Sequence, residues 1–205
     1  MQNVDPPEVP RGNEIVWLTT EELERLIKAF EGTPYYVPVA LGARTGLRRD
    51  EVLALSLGDI DDEAGVVRVR RILEDVAAGD APRFTEPKSP IAREPIHLDE
   101  TAHKLLREHV TRRQADLAKS GAGAASDQLL FARADGSPFI LGEFEKAFLD
   151  VATRAGFPRL RFHHLRDTLA VHLVQAGEPV SAVAERMRHQ DQASTSRRYF
   201  AASGT

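Results

Sequence analysis

Apolar residues recur along much of this chain at the three- and four-residue spacing of amphipathic helices. The first such stretch begins at a capping box formed by Thr19 and Glu22 and ends near Phe30, where a Gly-Thr-Pro turn follows. A second helix is predicted over 35–44, and a third begins near Arg48. The same spacing predicts further helices over 99–119, 141–155, 164–176, 179–187 and 191–199.

Short runs rich in β-branched and aromatic residues predict a few strands in the middle of the chain. They lie over 66–72, 84–88 and 94–98. Short strands that follow one another with turns between them pair in an antiparallel manner. The predicted fold class is therefore α+β and mainly helical, with a small antiparallel three-stranded sheet at one edge.

Length and composition are typical of one folded domain. The chain has 205 residues, of which 42% are hydrophobic and 28% charged. We interpret the proline-rich residues 1–18 as a linker and 19–205 as the domain. The absence of cysteine excludes disulfides, thiolate nucleophiles and cysteine-ligated metals. No apolar run approaches the ~18 residues of a membrane span, and a secretory signal pattern is lacking, so a cytoplasmic location is expected.

The charge of the chain is unevenly distributed. Its net charge of −4 and pI of about 6.0 argue, taken alone, against nucleic acid as a partner. Residues 1–63 carry 6 basic and 13 acidic side chains, whereas residues 154–205 carry 8 basic and 4 acidic ones. The C-terminal quarter is therefore locally basic, and it also holds His163, His164, His172 and His189.

Four separate segments concentrate the chemically versatile side chains, over 43–51, 87–93, 163–166 and 188–199. Each has an ordinary interpretation when taken alone, because arginines and lysines in turns are usually solvated and a late tyrosine usually packs at the edge of a core. His163 and Arg166 are three residues apart and share one helical face. The order and spacing of the four segments carry more information than any one of them.

Together these segments resemble the catalytic domain of the tyrosine recombinases, the phage integrase family. TGLRRDEVLALSLGDID is similar to that family's first arginine box, PKSPIARE to its β-hairpin lysine segment, HHLRDTLAVHLVQAG to its His-x-x-Arg box and ERMRHQDQASTSRRYF to the segment with the second histidine and the nucleophile. The resemblance assigns as catalytic residues Arg48, Lys88, His163, Arg166, His189 and the nucleophile Tyr199, with Glu51 in a supporting acidic position.

The resemblance implies breakage and rejoining of DNA without hydrolysis. Tyr199 would attack a backbone phosphodiester and form a 3′-phosphotyrosyl bond, which a 5′-hydroxyl later reverses. Guanidinium groups suit this chemistry because they keep their charge and bind phosphate oxygens in a fork. Lys88 suits protonation of the leaving oxygen, and the histidines suit proton transfer or hydrogen bonding to phosphate.

The resemblance also implies partners and differences from the family pattern. We expect double-stranded DNA and self-association on DNA as a tetrameric synapse, with no metal, no cofactor and no membrane. A bacterial or phage origin and a nucleoid-associated cytoplasmic location are implied. Arg188 stands where the family usually has glycine, and Asp167 where histidine is common. Nothing matches the family's N-terminal core-binding domain, which we therefore expect to be absent from this chain.

Three other functions remain to be compared with this interpretation. A non-catalytic DNA-binding regulator of the same fold would bind DNA without forming a covalent bond. A type IB topoisomerase-like enzyme would relax supercoils with the same phosphotyrosine chemistry. A metal hydrolase built on His163, His164, His172 and His189 is disfavoured, because their spacing matches no common zinc motif.

Overall fold

The computed structural model describes residues 15–76, 80–87, 89–121 and 127–188, and these ranges are mainly helical. The predicted helices are confirmed within these ranges, whereas the one predicted over 191–199 lies outside them. The α-helices are α1 (Thr20–Ala29), α2 (Tyr36–Thr45), α3 (Arg49–Val52), α4 (Glu100–Lys119), α5 (Leu141–Arg154), α6 (His163–Gln175) and α7 (Val180–Arg186). Short 3-10 helices occupy Leu57–Asp59 and Pro90–Arg93.

Two small antiparallel sheets lie between α3 and α4 in the chain. Their strands are β1 (Ile60–Asp61), β2 (Val66–Val67), β3 (Ile72–Leu73), β4 (Phe84–Thr85) and β5 (Ile96–His97). One sheet has three strands in the order β1-β2-β5, and the other pairs β3 with β4. Val67 lies opposite Ile60 on one side and Ile96 on the other. The predicted fold class, α+β with a small antiparallel three-stranded sheet, is confirmed.

The strands of the sheet differ from the prediction. The single strand predicted over 66–72 is divided into β2 and β3, and the strand predicted over 84–88 pairs as β4 with β3 in the second sheet. The third strand of the larger sheet is β1, which was not predicted. The arginines between β2 and β3 bond to the segment that follows α3. The Arg70 guanidinium donates to the Gly58 carbonyl oxygen at 2.8 Å, and that of Arg71 to the Ala54 carbonyl oxygen at 3.0 Å. These contacts lie where the backbone leaves the three-stranded sheet and enters the second sheet, in which β3 pairs with β4.

Helix α2 lies at the centre of the hydrophobic core and packs against α1, α4 and α6. Phenylalanine rings pack around it. Phe30 stacks on Phe148 with ring centroids 5.3 Å apart, and Phe144 meets Phe162 edge-on with centroids 5.4 Å apart. Burying each such side chain contributes roughly 1.5–3 kcal/mol. Because Phe162 directly precedes α6, this packing holds the first turn of α6 against α2.

Residues 15–18 pack onto α6 although they belong to the predicted linker. The Leu18 N–H donates to Thr168 Oγ1 at 3.1 Å, and its carbonyl oxygen accepts from His172 Nε2 at 2.8 Å. The Trp17 ring meets His172 edge-on. Residues 1–14 lie outside the described part, and the division into a linker over 1–18 and a catalytic domain over 19–205 stays a prediction.

Within the described ranges, none of the helices is both long enough and apolar enough to cross a membrane.

Candidate active site

Arg48 enters the site from a tight turn between α2 and α3. Gly46 ends α2 with a φ of 67°, in the left-handed region that glycine tolerates best. The Arg48 N–H then donates to Glu51 Oε2 at 2.8 Å, and its guanidinium donates to Glu51 Oε1 at 3.2 Å. The Glu51 side chain is 2% exposed and the Arg48 side chain 49% exposed. The carboxylate therefore holds both the backbone and the guanidinium of Arg48, while about half of the Arg48 side chain remains accessible.

Arg166 reaches the same turn from α6. It lies on the first half of the helix, it is buried, and its Nη1 donates to the Gly46 carbonyl oxygen at 2.5 Å. Residues 46 and 166 are 120 positions apart in sequence. This bond fixes the position of Arg166 relative to the turn that leads into Arg48.

Arg48, His163 and Arg166, three of the predicted catalytic residues, line a single cleft of about 530 Å³. His163 is exposed and lies one helical turn before Arg166, as its spacing predicted. The other lining residues are Leu47, Arg49, Asp50, Glu145 and Arg161. Four arginines against the two carboxyl groups of Asp50 and Glu145 give this cleft a positive electrostatic field, which suits an anionic ligand.

Two of the cleft arginines, Arg49 and Arg161, were missed by the sequence analysis. Arg49 is held by Glu145 at 3.4 Å and by Asp75 at 3.7 Å. Arg161 is exposed and lies two residues before His163, the first residue of the His-x-x-Arg box. This closeness to the box in the sequence was the signal that could have identified it. The predicted box therefore extends by two residues on its N-terminal side.

The carboxyl of Asp50 also faces the cleft, half-buried. Burial raises the pKa of this carboxyl above its ordinary value, and the nearby Glu51 charge raises it further. The environment thus disfavours the Asp50 anion, which would oppose the field of the arginines.

His164 is turned differently from its neighbour His163. The Arg161 N–H donates to His164 Nδ1 at 3.0 Å, and the two histidine rings meet edge-on with centroids 4.0 Å apart. His172 contacts Leu18 instead, on the side of α6 that packs against residues 15–18. Within the described ranges, no group of three or more His, Cys, Asp or Glu side chains is arranged to hold a metal ion.

The remaining predicted catalytic residues, Lys88, His189 and Tyr199, lie outside the described residues. Ser89 and Arg188, their immediate neighbours in sequence, are described. Asp167, which differs from the family pattern, is buried on α6 next to Arg166. The structure therefore brings together Arg48, His163 and Arg166, with Glu51 directly behind Arg48.

Comparisons with known proteins agree with the motifs. The chain is 27% identical over 195 residues to a tyrosine recombinase XerC-like protein of Caldanaerobacter subterraneus. This alignment covers 90% of the chain and 50% of that protein. It is 29% identical over 190 residues to a putative prophage phiRv2 integrase of Mycobacterium tuberculosis, with 91% and 47% covered. The chain thus spans about half the length of the curated relatives it matches.

Solved structures show the same fold. The Tn1549 transposon integrase in complex with transposon right end DNA superposes with a TM-score of 0.75 at 21% identity, covering 98% of this chain and 66% of that one. The XerA recombinase superposes with a TM-score of 0.67 at 23% identity, covering 93% and 60%.

The sequence model of the phage integrase family matches residues 16–204, which include both arginines of the cleft, the histidine beside them and the segments that lead to the remaining predicted catalytic positions. The motifs, the fold and this match agree, and the protein belongs to the phage integrase family.

Proposed function

We propose that this chain is the catalytic domain of a site-specific DNA recombinase that cuts and rejoins strands through a 3′-phosphotyrosyl intermediate. The observation that carries the proposal is the cleft that Arg48 and Arg166 line together with His163, although the two arginines come from distant segments of the chain. A phosphodiester gains negative charge in the transition state of its transfer, so positioned cations lower the barrier. Two guanidinium groups and an imidazole are suited to that task.

In the proposed reaction, the Tyr199 hydroxyl oxygen attacks the scissile phosphorus and its proton passes to a histidine of the site, His163 or His189. The bond between phosphorus and the 5′-oxygen breaks, and Lys88 donates a proton to the leaving oxygen. The energy of the broken bond is kept in the phosphotyrosine bond. A 5′-hydroxyl of a second strand then attacks the phosphotyrosine, which releases Tyr199 and joins the strands.

The roles of Lys88, His189 and Tyr199 rest on the family motifs that surround them in the sequence, and that of Glu51 on its two bonds to Arg48. Glu51 orients Arg48 and does not itself touch the phosphate in this proposal. The cleft's arginines supply the positive charge that a metal ion supplies in other phosphoryl-transfer enzymes. We therefore propose a reaction that needs no divalent ion and no cofactor.

Duplex DNA is the proposed partner, bound with the scissile phosphate in the cleft. Structures of related folds that hold DNA, among them the Tn1549 transposon integrase with transposon right end DNA, support this choice. Exchange of strands needs two duplexes and four protomers, so we propose self-association on DNA as a tetrameric synapse. The bacterial and phage relatives support a cytoplasmic site of action, where the bacterial chromosome lies.

The first prediction is covalent trapping of DNA. The protein is incubated with a pool of nicked duplexes of randomised central sequence, and covalent complexes are recovered after boiling in detergent. Cleavage near the nick releases a short fragment that diffuses away, so the reverse step loses its partner and the complex accumulates. The wild-type chain should trap DNA, and Tyr199→Phe, which removes only the hydroxyl, should trap none.

The controls separate this mechanism from the alternatives. Tyr36 lies on α2, and the control variant Tyr36→Phe should trap DNA at the wild-type rate. A chelator should not reduce trapping by the wild-type protein. Wild-type protein that binds the pool but traps nothing would identify a non-catalytic binding protein instead. Trapping that persists in Tyr199→Phe, or that requires a divalent ion, would contradict the proposed mechanism.

A further inference from the structure

Arg188 lies at the end of α7 in an unusual environment. Its φ is 51°, and among the described residues it is the one non-glycine residue with a positive φ. Side chains with a Cβ rarely adopt this backbone region unless surrounding contacts hold them there. The Arg188 side chain is 4% exposed, which is also uncommon for an arginine unless it is paired.

The contacts of this buried guanidinium explain both features. Its Nη2 donates to Glu51 Oε2 at 2.6 Å, and its Nη1 donates to the Ala92 carbonyl oxygen at 2.6 Å. Residues 51 and 188 are 137 positions apart in sequence. One side chain therefore joins α3, the 3-10 helix over Pro90–Arg93 and the end of α7.

Glu51 is the common partner of two arginines. Its Oε2 accepts hydrogen bonds from the Arg48 N–H and from Arg188, while its Oε1 accepts from the Arg48 guanidinium. A buried carboxylate must be neutralised by a cation nearby. Arg188 supplies that cation from within the core, so the charge of the half-exposed Arg48 remains available to a phosphate in the cleft.

The three segments that Arg188 joins each lead to a proposed catalytic residue. Glu51 holds Arg48, Ala92 follows Lys88 by four positions in the sequence, and His189 is the residue directly after Arg188. A group that bonds to all three segments fixes their relative positions. Catalytic groups must be held to within about half an ångström of their productive geometry, so such a link affects rate more than binding.

We propose that Arg188 is a positioning residue of the active site, which acts on Arg48 through Glu51 and ties the 3-10 helix over Pro90–Arg93 to the end of α7. This inference rests on the proposed function. The family usually has glycine at this position, and in this chain Arg188 is part of the catalytic machinery.

Arg188→Gly is the variant that tests the link, because glycine accepts the positive φ and only the side chain is lost. Covalent trapping should slow by roughly 10–100-fold, the loss expected for a misplaced catalytic group, while the DNA dissociation constant changes by no more than about twofold. Arg188→Lys keeps the charge but not the two-pronged contact, and should recover part of the rate. In a Glu51→Gln background, Arg188→Gly should slow trapping by a smaller factor than it does in the wild type, because the part of its effect that passes through Glu51 is already lost.

A second measurement needs no DNA. Hydrogen exchange followed by mass spectrometry should show faster exchange in Arg188→Gly for peptides that contain the Arg48 amide and residues 90–96. Peptides of α5 should be unchanged. Arg71→Lys is the control for Arg188→Lys, since the Arg71 guanidinium also makes two hydrogen bonds, but both go to carbonyl oxygens, those of Ala54 and Asp127, and not to Glu51. It should leave the trapping rate and the exchange of the Arg48 peptide as in the wild type.

The outcomes distinguish the inference from the function on which it rests. If the wild type traps no DNA, the proposed function is wrong, and the exchange data alone decide whether Arg188 holds Arg48. If the wild type traps DNA and Arg188→Gly does so at the same rate, Arg188 has only a structural role and the inference is overturned. Rates that fall additively in the double variant, or unchanged exchange at Arg48, would also overturn it.

Discussion

His109 shows how a single side chain couples this fold to pH. It lies on α4, its Nε2–H donates to the Leu130 carbonyl oxygen at 3.0 Å, and its ring packs on Phe131 with centroids 4.9 Å apart. Burial lowers the pKa of this imidazole below its ordinary value, and the nearby charges of Arg112 and Arg113 lower it further, against the hydrogen bond to Leu130. The folded protein therefore favours neutral His109.

The sign of the resulting pH dependence follows from linkage. As the pH falls below the ordinary value of 6.5, the unfolded chain takes up the proton on His109 before the folded chain does, so stability is lost. The contribution is fully present above that pH. We predict that the free energy of unfolding in urea falls less between pH 7.5 and pH 5.5 in His109→Gln than in the wild type. Parallel curves for the two proteins would contradict this assignment.

Among individual residues, the motifs predicted the side chains that the proposed chemistry needs, but not the side chains that hold them in position. Arg48, His163 and Arg166 were predicted from sequence because they occur in local patterns of fixed spacing. The sequence shows Arg188 only as a difference from the family pattern, since its proposed role depends on Glu51, 137 positions away, and on a positive φ. A contact of that kind has no local signature in a sequence.

At the scale of elements, helices were predicted well because their apolar period extends over several turns. The strands are only two residues long in the structure, too short for a period to define their ends. The division between β2 and β3 depends on where Arg70 and Arg71 find carbonyl partners. Such pairing is decided by tertiary structure and not by the propensity of the segment.

The contact between α2 and α6 gives a prediction at this scale. A Cβ on Gly42 would overlap the tip of the Phe162 ring and come within 3.2 Å of its two Cε atoms. Both groups are buried in the core, so neither can move away cheaply. We predict that Gly42→Ala destabilises the protein by about 1–3 kcal/mol, as overpacked cores do. Urea unfolding would measure this loss.

Gly142 on α5 is the matched control, because a Cβ there meets nothing within 4 Å. Gly142→Ala should be neutral or should stabilise the protein by up to about 1 kcal/mol, the ordinary gain of alanine over glycine in a helix. Equal effects of the two substitutions would show that helix propensity, and not the contact between α2 and Phe162, decides the result.

The net charge of the protein opposes binding of the proposed partner, duplex DNA. The chain carries a net charge of −4, and its first 63 residues hold 13 acidic groups against 6 basic ones. Binding of duplex DNA must therefore depend on a local surface, and the cleft of Arg48, Arg161 and Arg166 is the one that the catalytic proposal uses. The distribution of charge along the sequence predicted a basic C-terminal quarter. It did not predict that Arg48, from the acidic first 63 residues, would line the same cleft as Arg161 and Arg166.

The last prediction concerns the salt dependence of DNA binding. If the cleft makes the contacts, affinity for a duplex of arbitrary sequence should be weak, with a dissociation constant of roughly 1–100 μM, and should fall steeply with salt as counterions are released.

Arg161→Ala removes one exposed cation from the cleft and should reduce the slope of log K against log salt by about 1. Arg112→Ala removes another exposed arginine, on α4, which lines a separate groove with His109, and should leave the slope unchanged. Fluorescence anisotropy at several salt concentrations measures both slopes. Salt-insensitive binding, or an equal loss of slope in the two variants, would mean that DNA does not bind through this cleft.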